Sequence, residues 1–196
     1  MRIARAALVA AAVASGCSLT PVQVEVRTAL IEQAPAKVAQ GKPGRATLLV
    51  PVPLTAPAYD TTRIAYATAP HEIAYYARVE WARRPALMIQ PLLVKTMRDT
   101  HAFAAVEAPP YLDRYRYALH TEIRELMMDF GAGAPAARLV LHARLADEDS
   151  GRTLLDREIA VAEPIAARTP EAAIAAANAA GAKALEQLAG EVVAAL

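Results

Sequence analysis

The chain has one cysteine, Cys17, in 196 residues. A lone thiol excludes an intrachain disulfide and leaves no second soft ligand for a thiolate metal site. An excess of one charge is also missing. The 21 basic residues face 20 acidic ones, for a formal net charge of +1, so nothing suggests a nucleic-acid partner. No segment of the body reads as a membrane span, which needs roughly 20 apolar residues. The alanine-rich C-terminus comes nearest, but Lys183, Glu186 and Glu191 interrupt it with charges that hydrocarbon disfavours. Although 55% of residues are hydrophobic, about a quarter of the chain is alanine, which buries little area per residue.

Catalytic signatures are absent too. There is no His-Glu-x-x-His, no Gly-x-Ser-x-Gly, no phosphate-cradling glycine loop and no dinucleotide fingerprint. His71, His101, His120 and His142 are scattered without ligand spacing. The run Asp147–Gly151 lacks the closing Glu of a calcium loop and reads as a solvated hairpin turn. Glu122 and Glu125 fall on an expected exposed strand, without the burial that acid–base work requires. We expect no enzyme, no metal site and no cofactor.

What is present begins at the N-terminus. Arg2 and Arg5 form a positive segment, Ala6–Val13 a short apolar core, and Ala14, Ser15 and Gly16 a small-residue cleavage site. Residues 1–16 therefore read as a signal peptide. The sequence Ala14-Ser15-Gly16-Cys17 resembles the bacterial lipobox, without the more usual Leu at its first position; ordinary secretion with cleavage nearby is the alternative. Lipidation gives the lone cysteine a purpose, because two or more acyl chains anchor a protein stably at about 0.8 kcal/mol per buried CH₂. Ser18, rather than Asp, follows the cysteine, which resembles the sorting signal of lipoproteins passed to the outer membrane. Without residues 1–16 the chain holds 19 basic and 20 acidic residues, a formal charge of −1.

Residues 17–44 read as the lipidated N-terminus, a first strand with Val22, Val24 and Val26 alternating, and a loop holding Pro35, Pro43 and two glycines. Residues 45–196 form the main domain. "ATLLVPVPL" predicts a short strand that its prolines end or push to an edge, and "TTRIAYAT" predicts another. In "HEIAYYARVEWA" Ile73, Tyr75, Ala77, Val79 and Trp81 fall on one face, while Ala74, Tyr76, Arg78 and Glu80 fall on the other. Residues 85–100 predict a helix with Pro85 in its first turn, where Pro91 either kinks it or marks its true start. "HAFAAVEA" reads as a short strand, and "RYRYALHTEIRELMMDF" as a long strand with a helix as the alternative. Residues 137–163 read as a hairpin around Asp147–Gly151. Thr169 caps a final helix with Pro170 at its first position and a seam of Ile174, Asn178, Gly181, Leu185, Leu188 and Val192. This order predicts an α+β domain: a mostly antiparallel β-sheet with two main helices on one face.

Tyr59, Tyr66, Tyr75, Tyr76 and Trp81 lie within 23 residues of one another. Tyr75 and Trp81 are expected in the core under a helix. Tyr76 then points the other way, and with Tyr59 and Tyr66 offers a candidate partner or ligand surface.

Residues 48–106, "LLVPVPL…YDTTRIAYATAPHEIAYYARVEWARRPALMIQPLLVKTM…FAAV", resemble the ABC-type transport auxiliary lipoproteins, the group that includes the paraquat-inducible protein C type. The matching positions are Tyr59, Arg63, Ile64, Tyr66, Tyr76, Ala77, Trp81, Pro85 and Leu93. The later hairpin and the alanine-rich helix also fit, while the family's aromatic "Y-x-L" strand after the cysteine is replaced by "VQVEVRTAL". The resemblance implies a non-enzymatic component of an MCE-type transport system that moves lipids or hydrophobic compounds between membranes. It also implies a membrane-anchored MCE-domain protein as partner, a homo-oligomeric state, and a place on the periplasmic side of the outer membrane, held in the bilayer through acylated Cys17. Tyr75, Trp81 and Pro85 are then structural members of the family motif. The alternative is a free-standing periplasmic lipoprotein that binds a lipid or small apolar ligand, which calls for a closed apolar cavity of a few hundred Å³; an envelope hydrolase needs a convergent nucleophile and base.

Overall fold

The computed structural model describes residues 25–110 and 113–196; the signal peptide, Cys17, Val22 and Val24 lie outside them. In chain order the elements are β1 (Arg27–Ala29), β2 (Thr47–Leu49), β3 (Leu54–Thr55), β4 (Arg63–Ala67), β5 (Ala74–Trp81), α1 (Pro85–Asp99), β6 (Ala105–Glu107), β7 (Tyr117–Asp129), β8 (Ala136–Asp147), β9 (Arg152–Pro164) and α2 (Pro170–Ala195). The architecture is the expected α+β one.

β7 is the spine of the sheet. One edge pairs antiparallel with β8 along its whole length, and β8 pairs antiparallel with β9. The other edge takes β2, β3 and β4 in turn, each parallel to it. β6 extends β2, while β5 and then β1 extend β4. Pro51, Pro53 and Pro57 chop the 47–67 segment into these short pieces, since proline cannot donate to a ladder. They do not push β2 to an edge, because β2 lies between β7 and β6.

Long-strand alternation survives with one correction. Leu119, Thr121 and Ile123 are buried, and then Leu126 and Met128. The parity change falls at the register shift between Ile123 and Glu125, where an extra residue turns the strand over.

Both helices cover the same face. α1 runs unbroken from Pro85 to Asp99, with Pro91 inside it on the exposed side, so the helix begins at Pro85 and not at Pro91. α2 starts where Thr169 Oγ1 accepts from the Ala172 N–H at 3.2 Å, with Pro170 in the first turn, as the sequence predicts. Leu185, Leu188 and Val192 are at most 2% exposed, and burying each is worth about 1.5–3 kcal/mol.

Between the helices runs an arm, residues 29–44, that the sequence reads only as strand and loop. Ile31 is buried at the meeting of α1, β8 and α2. The arm then turns around the C-terminal end of α1, where the Gly41 N–H donates to the Thr100 carbonyl at 2.8 Å.

Candidate partner surface

The β4–β5 end of the sheet holds the tyrosine cluster, and it departs from simple alternation. Arg63 pairs with Glu80 but Ala65 pairs with Tyr75, so β5 carries several extra residues opposite Ile64. The face rule of period two therefore does not carry through β5. Val79 and Trp81 are buried, at 4% and 2% exposure. Tyr76, expected opposite them, packs against the same core at its margin. There it meets Tyr66, with ring centroids 4.9 Å apart and planes tilted by 48°. Burial and the neighbouring Tyr66 raise the Tyr76 phenol above its ordinary value. Tyr66 is the register partner of the fully buried Met128, which puts it on the helix face.

Tyr75 is not in the buried core. It is the partner of Ala65 on the other face, half-buried, with its hydroxyl donating to the Ala58 carbonyl at 3.0 Å and the Arg63 guanidinium 3.9 Å above its ring. Tyr59 lies on that same side. Burial, then the nearby Glu125 carboxylate and Tyr75, push its phenol up, while Arg138 opposes the change. Trp81 and Pro85 are buried as expected. The structure thus gathers Tyr66 with Tyr76 on one face and Tyr59 with Tyr75 on the other. Ile73, 42% exposed, directly precedes β5, next in the chain to Ala74, the register partner of Tyr66.

Asn178 is the functional-looking residue that sequence reasoning undervalued. Its Oδ1 accepts from the N–H groups of Glu32 and Gln33 at 2.9 and 3.1 Å, and its Nδ2 donates to the Leu30 and Ile174 carbonyls at 2.8 and 3.1 Å. A polar residue in an apolar seam was the available signal. Here it ties the incoming arm to α2.

At the far end of α2 an open groove of about 710 Å³ is lined by residues 40–46, Ala102, Arg116, Tyr117, Val193 and Leu196. Arg116 closes one side by donating to both oxygens of Asp147 at 2.9–3.4 Å. Asp147 is buried and also accepts from the Asp149 and Ser150 N–H groups, so the Asp147–Gly151 turn is a hairpin turn with one buried carboxylate, not a fully solvated one. The Arg116 guanidinium holds that carboxyl below its ordinary 3.8. A carboxyl with a lowered folded pKa stabilises the fold above its unfolded pKa, and that contribution is lost as pH falls through the folded value. Asp147→Asn is therefore expected to melt below the wild type at pH 7, with the difference shrinking as pH falls through the lowered folded value. A constant difference across pH would mean that packing, and not charge, holds the turn.

The histidines remain apart. His71 and His101 occupy left-handed turns at φ 64° and 56°, His101 Nδ1 lies 2.8 Å from Gln40 Oε1, and His142 Nε2 lies 2.8 Å from Asp156 on the open face of the sheet. Among the described residues no group of three or more His, Cys, Asp or Glu could hold a metal, and no helix is long and apolar enough to cross a membrane. The apolar pocket enclosed between Ile31, α1, β8 and α2 measures only about 10 Å³, too small for any lipid chain.

An open-edged α+β sheet with two helices on one face and a pinned N-terminal arm defines the class. Residues 29–192 match the family model of the ABC-type transport auxiliary lipoprotein component, and the chain belongs to that family. The fold is similar to the crystal structure of protein XCC0632 from Xanthomonas campestris, at 25% identity and TM-score 0.71, over 87% of this chain and 94% of that one. It is also similar to an uncharacterized protein at 12% identity and TM-score 0.65, over 80% and 99%. The hypothetical protein CT253 from Chlamydia trachomatis aligns at 7% identity and TM-score 0.51, over 76% and 99%. No curated protein sequence matches. The chain thus belongs with the auxiliary lipoprotein components of ABC-type transport systems.

Proposed function

We propose that this protein is anchored through acylated Cys17 on the periplasmic side of the outer membrane. There it serves as a docking component for an MCE-domain membrane protein that moves lipids or hydrophobic compounds between membranes. The observation that carries the reading is a lipobox-like Ala14–Cys17 directly ahead of a domain matched to a transport auxiliary component over residues 29–192. The eight residue-to-residue steps from Cys17 to Glu25 can extend at most about 28 Å, so the end of the domain where the arm enters stays near the membrane. From there Asn178 transmits the tether to α2.

The docking contact we assign is the Tyr66–Tyr76 pair with exposed Ile73, and Tyr59 behind it on the other face. Amphipathic rings at an apolar margin are the residues enriched in interface centres. The pocket between Ile31, α1, β8 and α2, at about 10 Å³, has no room for a lipid chain, and this favours docking over free-standing lipid binding.

The test is crosslinking in whole membranes, purification of the tagged chain, and mass spectrometry of what comes with it. An MCE-domain protein should be recovered, with a yield lowered about tenfold by Tyr76→Ala, the size of loss expected from one interface hot spot. Cys17→Ala should release the chain into the soluble periplasmic fraction. Recovery of the chain alone, carrying lipid, would contradict the docking reading.

A further inference from the structure

We propose that β9 is a self-association edge, pairing antiparallel with β9 of a second copy about a twofold axis at Ala160, with the two α2 helices side by side above it. This goes beyond the transport reading and does not depend on it.

β9 is 13 residues long and, among the described residues, pairs only with β8. A long edge strand of this kind presents a row of unpaired N–H and C=O groups, which proteins ordinarily guard with charge, proline or a bulge. The middle of β9, Ile159-Ala160-Val161-Ala162, carries none of these guards. The flanks do carry charge, and they are arranged about one point. Arg157 and Glu163 lie three residues either side of Ala160 on the helix face, opposite the buried Ala143 and Ala137. An antiparallel pair centred on Ala160 sets each Arg157 against the Glu163 of its twin and places Ile159 against Val161. It sets Glu158 against Ala162 on the open face. Centring on Arg157 or on Glu158 instead would put like charges opposite each other, which is destabilising. The axis must fall on a residue, because directly opposed residues share a face and alternation has period two.

The helix layer repeats the arrangement independently. Lys183 Nζ lies 2.8 Å from Glu163, and Glu191 lies 3.9 Å from Arg157, so the point of α2 above Ala160 is near Gln187. The same axis then faces Lys183 of one copy with Glu191 of the other. Spacing agrees as well. α2 lies over β8 and β9, so an added strand at about 4.8 Å sets the two α2 axes roughly 10 Å apart, within the range of packed helices. The interface is isologous and closes as a dimer.

The experiment places Ala160→Cys in the full chain and oxidises it in isolated membranes, with the wild type as the control for Cys17. A thiol at the axis meets its own copy within disulfide range, so Ala160→Cys should crosslink to a dimer about tenfold more than Ala162→Cys. The Glu158→Cys, Ala162→Cys double variant should crosslink again. Light scattering of the detergent-solubilised wild type should read two chains, and Ala160→Glu, on the exposed open face, should read one with an unchanged circular-dichroism spectrum. A wild type that reads one chain overturns the proposal, as does strongest crosslinking at another register. Protection of the Ala160→Cys thiol in a single-chain species also overturns it, and would show that another segment or another protein covers β9.

Discussion

Gly44→Ala is expected to destabilise the fold by about 3 kcal/mol, the upper range for forced overpacking, and to lower the melting midpoint by roughly 6–12 °C for a domain of this size. A methyl group on Gly44 would drive into the backbone carbonyl of Ala102, far inside contact distance, and Gly41 stands similarly close, with its added Cβ 2.6 Å from that of Ala102. The obstacle is main chain, so no rotamer can move it aside. It is also held on every side: Thr100 is fully buried and hydroxyl-bonded to Met97, the Ala102 N–H donates to the Thr100 hydroxyl, and Gln40 donates to the Asp99 carbonyl. The arm and the end of α1 would have to part. Gly133→Ala is the control, because nothing lies within 4 Å of its added Cβ, and it should move the midpoint by no more than ordinary surface substitutions do. Equal effects of the two variants in thermal melts would mean that the 40–44 segment does not close on α1 as described.

Asn178→Ala is expected to cost about 2–3 kcal/mol, from three hydrogen bonds to the arm at about 1 kcal/mol each. The loss should be local as well as global. Amide exchange at Glu32 and Gln33 should rise more than anywhere in β7 or β8, because their N–H groups lose their acceptor. Asn178→Asp keeps an acceptor for those two N–H groups but loses the donor to the Leu30 carbonyl, and should fall between the wild type and the alanine variant. Uniform exchange across the molecule would show that the arm is not separately pinned. The result bears on function, since this clamp is where a membrane tether at Cys17 would pull on the folded domain.

Much of the fold was legible because long periodic segments dominate it. The β7–β8–β9 meander, the turn at Asp147–Gly151 and α2 with its Thr169 cap follow from alternation, turn residues and a helical seam. What could not be read was set by partners distant in sequence. The shift of register between Arg63 and Ala65 moves Tyr75 out of the core and brings Tyr76 to its margin, and a period-two rule has no means of locating such an insertion. Pro91 sits in an intact helix because its missing N–H falls on the solvent side. The role of Asn178 in the seam is not readable locally, because its partners, Leu30 to Gln33, lie nearly 150 positions away. The candidate site was half legible: the sequence singled out a cluster of tyrosines, and the structure divides it between two faces.

The most direct test of the central claim, docking to an MCE-domain partner, is a photo-reactive amino acid in place of Tyr76, irradiated in intact cells that carry the lipidated protein. A crosslink from position 76 to an MCE-domain membrane protein is expected, and none from the same reagent at Gly133 on its exposed turn. Equal labelling from both positions, or labelling of lipid alone from position 76, would contradict it.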